Sequence, residues 1–314
     1  MIDVIVPNYN GLHHLAICFD ALRRQTRHAD VRVVMVDDAS TDDSVAFVRR
    51  HYPEVHVMVM PRNGGFVASC NAAIAASTAA YIVLLNNDTE VTSEWLAALI
   101  GALEAHPEYD IAASKLMLFD RRDVIHSAGD FYRVDGIPGN RGVWQSDAPQ
   151  YQQQEEVFGA CAGAVAYRRC VIERLSVDGH FFDPDLTMYC EDVDLNLRAR
   201  LHGLRTVFVP TAIVYHRLSA TGGGVLASYY CGRNFALVWL KNMPRVLVRR
   251  HLGSMIWRQI VLMFDSLRHI RGQAARARLR GQLHMLGHIR RFWQKRRDIP
   301  VHVDESHLLL THQW

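Results

Sequence analysis

Over its first 118 residues the chain alternates short runs of aliphatic residues with segments of helical periodicity. IDVIVP (2–7), VRVVMVDD (31–38), VHVMVMP (55–61), YIVLL (81–85) and IAASKLML (111–118) read as strands. Between them Leu12, Leu15, Phe19 and Leu22 recur at helical spacing, as do Val45 and Val48 within 42–50. Residues 67–77 are helical by composition, and Ser93 is placed to cap a helix carrying Trp95, Leu96, Leu99, Ile100 and Leu103. Near-continuous apolar strands between amphipathic helices imply an α/β fold, with a mainly parallel central sheet flanked by helices on both faces. Ligands of such sheets bind beyond the carboxyl ends of the strands.

Those ends are polar or backbone-permissive. They read Pro7-Asn8-Tyr9-Asn10-Gly11, Asp37-Asp38-Ala39-Ser40-Thr41, Pro61-Arg62-Asn63-Gly64-Gly65 and Asn86-Asn87-Asp88. Asp37-Asp38 can bind a base edge, a ribose or a metal, and can equally cap the next helix. Asn87 and Asp88 offer oxygen ligands suited to a hard divalent ion beside amide donors that can reach a ribose. They can also form an Asx turn, with Thr89 and Glu90 leading into the next helix. No G-x-G-x-x-G follows the first strand and no G-x-x-x-x-G-K-[ST] occurs anywhere. A dinucleotide oxidoreductase and a P-loop NTPase are thereby disfavoured.

Residues 119–157 are loop-rich, and apolar order returns at FGACAGAVAY (158–167). Residues 178–203 pass from a polar loop into a helix that starts at a second acidic cluster, Glu191, Asp192 and Asp194. Acids there suit the helix dipole, and one of them could also serve as a general base. TVFVP and AIVYHR form two more short strands, ending at His216.

The ordered set V-I-V-P-N-Y-N, V-D-D-A-S-T-D, R-N-G-G-F, L-L-N-N-D-T-E-V and M-Y-C-E-D-V-D-L-N-L-R-A-R resembles the family 2 inverting glycosyltransferases, which have the Rossmann-like glycosyltransferase A fold. The rhamnosyltransferase-like enzymes of bacterial surface polysaccharide assembly are the most similar subgroup. The resemblance covers roughly residues 2–242. It implies that Pro7, Asn8 and Tyr9 lie along the nucleotide of a nucleotide-diphosphate sugar and that Asp38 bonds its base. It implies that Asn63, Gly64, Gly65, Phe66 and Asn71 close over nucleotide and sugar. Asn87 and Asp88 occupy the D-x-D-like site, with Asp88 and His216 as ligands of Mg2+ or Mn2+. Asp192 matches the catalytic base, and Glu191 its neighbour at the acceptor. The D-x-D-like site here has a single acid. The Q-x-x-R-W signature of processive synthases is absent, which favours transfer of one sugar, from dTDP-rhamnose or a UDP-sugar, to a glycan or lipid-linked acceptor.

The charge is unevenly placed. The chain has 35 Lys/Arg and 32 Asp/Glu, yet residues 245–297 hold 14 bases and one acid, Asp265. An acidic catalytic domain (1–242) is therefore expected to carry a basic helical extension (243–314). Leu252, Met255, Ile256, Ile260, Met263, Phe264 and Leu267 form the apolar face of that extension, with Arg258 and Arg268 off it. Such a helix can lie on an anionic membrane surface, and no nucleic-acid-binding module is visible. The six cysteines show no C-x-x-C pair and no zinc spacing, which indicates a reduced, intracellular chain. No signal peptide is expected, and the longest uncharged stretch (63–87) is too polar for a membrane span. The expected location is cytoplasmic, peripheral on the inner face of the cell membrane. Two other readings share these features: a catalytically silent nucleotide-sugar-binding membrane scaffold, and a sugar nucleotidyltransferase.

Overall fold

A computed structural model describes residues 1–26, 30–217, 224–296 and Leu308. Part of the Y-H-R-L-S-A-T stretch (218–221) and the end of the basic extension lie outside the described residues. In chain order the elements begin β1 (Ile2–Asn8), α1 (Leu12–Arg23), β2 (Val31–Asp37), α2 (Ser44–His51), β3 (His56–Val59), α3 (Gly65–Ala75), β4 (Tyr81–Leu85), β5 (Thr89–Val91) and α4 (Trp95–Ala105). There follow β6 (Ile111–Leu118), β7 (Ile125–Ser127), β8 (Asp130–Tyr132), β9 (Pro138–Asn140), β10 (Glu155–Val157), β11 (Ala164–Arg168) and α5 (Arg169–Leu175). The chain continues with α6 (Glu191–Leu201), β12 (Thr206–His216), α7 (Val225–Asn242), α8 (Arg245–Arg268) and α9 (Gln273–Gln294).

The chain divides into two compact units. The first comprises Met1–Asp130, Asn140–Thr187 and Leu204–Leu218. It holds a sheet of ten strands in the order β10-β12-β6-β11-β4-β1-β2-β3, with β5 on β12 and β7 on β6. The block β3-β2-β1-β4 is parallel, as the sequence pattern requires. Beyond it β11 runs antiparallel between β4 and β6, so the other half of the sheet is mixed. Val4, Val6, Val83 and Leu85 form one core with Leu15 and Phe19 of α1 and with Trp95, Leu99 and Leu103 of α4. Ile5 and Leu84, which face the opposite side by the period of two, are equally buried.

Three local expectations change. Thr89 and Glu90 do not lead into a helix; they begin β5, which pairs antiparallel with β12. Ser93 does not cap α4: the N-cap is Glu94, without a side-chain bond, and the Ser93 carbonyl accepts from the Thr26 N–H. The two strands expected over 206–217 are one long strand, β12, with an irregularity between Val209 and Ile213.

The second unit comprises Phe131–Gly139, Met188–Gly203 and Ser219–Trp314. It therefore takes in α6 and α7 together with the extension, rather than dividing at residue 242. The reason is packing between α7 and α9. Phe292 is fully buried, the Tyr229 hydroxyl lies 2.7 Å from His284 Nδ1, and the Arg296 guanidinium donates to the carbonyls of Leu240 and Met243 at the end of α7.

Candidate active site

In the first unit, the carboxyl ends of β1, β2 and β4 are joined by side chains. The Asn87 amide donates to Asn8 Oδ1 at 2.7 Å, and the Asn8 amide donates to Asp37 Oδ2 at 2.8 Å. Asp37 also accepts from the Ser40 N–H at 2.9 Å and the Ser40 hydroxyl at 2.6 Å. Asp37 is thus a turn organiser, and Asn8, only 3% exposed, is a structural tie. Pro7 is half-buried and Tyr9 is exposed beside it.

Asp38 accepts the N–H of Gly64 at 2.8 Å on one oxygen and that of Gly65 at 2.7 Å on the other. It therefore anchors the Asn63–Phe66 loop where α3 begins. Gly65 has φ +82, a left-handed conformation that side chains rarely adopt. Asn63 is exposed, and Phe66 is half-buried with its ring 6.3 Å from that of Phe182. Asn71 spends both ends of its amide on the backbone of Phe182, at 2.8 and 2.9 Å. It holds the loop before residue 187 in place, a role its sequence context does not reveal.

Asp88 follows β4 and is 5% exposed. Its Oδ1 lies 3.2 Å from His216 Nε2. The pair is close, but its geometry falls short of a hydrogen bond, and Asp88 Oδ1 is a buried oxygen without a hydrogen-bond partner. Behind His216, Nδ1 lies 3.0 Å from Nδ1 of His126. Burial, then the nearby His216, push His126 down to about 3. His14, at the start of α1, is buried with Nε2 unpartnered; desolvation and then His13 lower its pKa, while Asp88 opposes the shift.

A buried, unsatisfied carboxylate oxygen beside an imidazole nitrogen fits a divalent cation. Among the described residues no three His, Cys, Asp or Glu side chains converge for a metal. The donor set is therefore two protein atoms, which suits an ion that takes its remaining ligands from phosphate and water.

In the second unit α6 starts at the acidic cluster. Tyr189 and Cys190 precede it with φ of 58 and 67, and the Asn234 amide pins this strained turn by donating to the carbonyls of Met188 (3.2 Å) and Tyr189 (2.8 Å). The three acids then differ in environment. Asp194 is fully buried and bound by Arg198, Lys241 and Asn242, which makes it structural. Glu191 is buried with Oε2 unpartnered; desolvation, then the charge of Asp192, hold its carboxyl well above the usual range. Asp192 is half-buried at the helix N-terminus, where its Oδ1 accepts the Val193 N–H at 2.8 Å. The dipole there favours a carboxylate.

The fold thus brings Asn8, Asn87, Asp38, the 63–66 loop, Asp88 and His216 to one edge of the first unit. Asn71 is engaged elsewhere, and Glu191 and Asp192 belong to the second unit. Sequence reasoning missed His126, His14 and the holding role of Asn234. His126 could have been suspected only as a histidine after a short apolar run.

The glycosyl transferase family 2 model matches residues 3–176, more than half of the chain. An N-acetylglucosaminyl-diphospho-decaprenol L-rhamnosyltransferase from Mycobacterium tuberculosis is 26% identical, with 86% of this chain and 95% of that protein covered. The chain spans only 25% and 42% of the length of two other curated relatives that it matches. Among solved structures, GalNAc-T7 with UDP, GalNAc and Mn2+ superposes with a TM-score of 0.60 at 15% identity, over 76% of this chain and 47% of that one. A mannosyltransferase from Pyrobaculum calidifontis with GDP-Man and Mn2+ gives 0.55 at 14% identity, over 99% and 86%. The fold is that of the glycosyltransferase A enzymes.

Proposed function

The chain belongs to glycosyl transferase family 2, and on that premise we propose that it moves one sugar, with inversion, from a nucleoside-diphosphate sugar to a hydroxyl of a glycan or lipid-linked acceptor. The setting is surface polysaccharide biosynthesis. The rhamnosyltransferase relative favours dTDP-rhamnose as donor over UDP-sugars. The observation that carries this reading is the unsatisfied Asp88 Oδ1 beside His216 Nε2, at the sheet edge where Asp38 anchors the glycine loop.

Pro7 and Tyr9 lie along the nucleotide. Asn87 is positioned by Asn8 to reach the ribose. Each Asp38 oxygen keeps a second lone pair for an N–H of the base, while its present bonds hold the loop that covers the donor. Asp88 and His216 would hold Mg2+ or Mn2+; when bound, the ion offsets the negative charge that grows on the departing diphosphate. Asp192 takes the proton of the acceptor hydroxyl as that oxygen attacks the anomeric carbon from the face opposite the leaving group. Glu191, whose carboxyl burial holds well above the usual range, is the neighbour of the base on the acceptor side. In-line attack inverts the anomeric centre without a covalent enzyme intermediate.

The extension supports a peripheral place on the inner, anionic face of the cell membrane. Along α8, Leu252, Ile256, Trp257, Val261, Met263, Phe264 and Leu267 are exposed, in a stretch rich in arginine. Met255, expected on this face, is turned inward and buried. Among the described residues no helix is long and apolar enough to cross a membrane.

Release of nucleoside diphosphate from dTDP-rhamnose and a panel of UDP-sugars, with Mn2+ or EDTA, tests the proposal. Wild type should turn over one donor only with the metal. Asp192→Asn should lose about 10²–10⁴-fold in kcat while binding the donor normally. Equal activity in the two proteins would remove the assigned base, and no turnover of any donor would remove the function.

A further inference from the structure

We propose that His126 is a positioning residue, which holds the His216 imidazole in the one orientation and tautomer that leave Nε2 free to join Asp88 at a divalent cation. The inference rests on the cation reading above.

The two histidines are 90 residues apart in sequence and meet through the sheet. His126 lies on β7 and His216 ends β12, and both strands pair with β6. Their Nδ1 atoms are 3.0 Å apart, with ring centroids at 4.9 Å and planes tilted by 43°. The facing nitrogens are far closer than the ring centroids, so the rings meet nitrogen to nitrogen rather than as a stack. Two neutral imidazoles at this distance share one proton between the facing nitrogens, so one donates and the other accepts.

The chemistry of a ligand histidine decides which. A cation at His216 Nε2 needs the lone pair there, so the ring proton must sit on Nδ1. Both residues are buried, and a buried N–H needs a fixed acceptor. His126 Nδ1 supplies it. The same bond stops the His216 ring from turning over and presenting the wrong nitrogen to Asp88. Ligand histidines generally depend on such a partner, whose removal weakens metal binding 10–100-fold; here the partner is a second imidazole in place of a carboxylate or carbonyl.

The test uses the full chain with dTDP and, separately, UDP, titrated with Mn2+ and followed by the EPR signal of the free ion. His126→Phe keeps a flat ring but removes the acceptor, and should weaken Mn2+ binding about 10–100-fold. Nucleotide binding in EDTA and the melting temperature should stay near wild type. His126→Asn places an amide oxygen near the position of Nδ1 and should restore binding to within a few-fold. Equal Mn2+ affinity in wild type and His126→Phe would overturn the proposal, as would an Asn variant as impaired as the Phe variant. A second measurement needs no variant: 15N spectra of the Mg2+-loaded wild type should show His216 protonated on Nδ1, and protonation on Nε2 would overturn it. If wild type binds no Mn2+ with either nucleotide, the cation reading itself fails, an outcome distinct from equal binding by the variants.

Discussion

The Asn87 side-chain amide donates to Asn8 Oδ1 at 2.7 Å, across 79 residues of sequence, and ties the end of β4 to the end of β1. Gly11 lies against this bond. A Cβ there would stand 2.2 Å from Asn87 Nδ2 and 2.4 Å from Asn8 Oδ1. Its φ of −101 is ordinary, so this glycine is required by space rather than by backbone conformation. Gly11→Ala should break the tie and cost about 1–3 kcal/mol of stability. Urea unfolding measures the loss, and donor affinity should fall with it because Asn87 loses its anchor. A variant with unchanged stability and donor affinity would show that the tie positions nothing.

Asp88→Asn separates a metal role from a structural one. The native carboxylate is buried with one oxygen unsatisfied, so the neutral isostere should leave the melting temperature unchanged or raise it. Mn2+-dependent turnover should drop by at least about 10²-fold, the scale on which removing transition-state charge stabilisation acts. A large loss of thermal stability with turnover intact would assign Asp88 to the scaffold instead.

Glu191 gives a pH signature. Burial, then the neighbouring Asp192 charge, raise its carboxyl well above the ordinary value of 4.5. Between the unfolded and folded values the folded state binds more protons, so stability falls as pH rises. The contribution is fully present below about 4.5 and is lost as pH climbs through the folded value. Glu191→Gln cannot ionise, so its stability should fall less steeply than that of wild type from pH 4.5 upward. Denaturant unfolding of both proteins over that range checks this, and parallel curves would contradict it.

The membrane reading is best tested on α8 without truncation. Removing everything after residue 244 would take away α9, including the fully buried Phe292, and expose the face of α7 that it covers. Trp257 and Phe264 are 66% and 60% exposed, so Trp257→Asp with Phe264→Asp should leave folding intact. Co-flotation with anionic liposomes should be lost in the double variant while donor turnover in solution persists. Unchanged flotation would show that this ridge does not meet the bilayer.

The residues expected at the nucleotide edge divide once their partners are known. Asn8 was legible as a strand-end polar residue and Asn71 as a polar residue in the helix after the glycine loop, yet both spend their amides on the protein itself. Local sequence could not distinguish a ligand contact from a tie, because both require a polar side chain near the carboxyl edge of the sheet. Asp37 and Asp38 show the same ambiguity resolved within one dipeptide. The first closes a turn with Ser40, and the second reaches the amides of Gly64 and Gly65. The acids of α6 were visible as a cluster, but their separation into a bound Asp194, a buried Glu191 and a half-buried Asp192 depends on what packs around each.

By itself the sequence determined the strand–helix alternation, the parallel character of the first strands and the edge to which their polar ends are delivered. Hydrophobic periodicity and the pleat are local properties, carried by neighbouring residues. Only the tertiary structure decided the strand order β3-β2-β1-β4, that β11 enters antiparallel, that the basic extension packs through α9 onto α7, and that His126 stands behind His216. These depend on contacts between residues tens of positions apart, where burial and the geometry of a shared proton select among side chains that look equivalent along the chain.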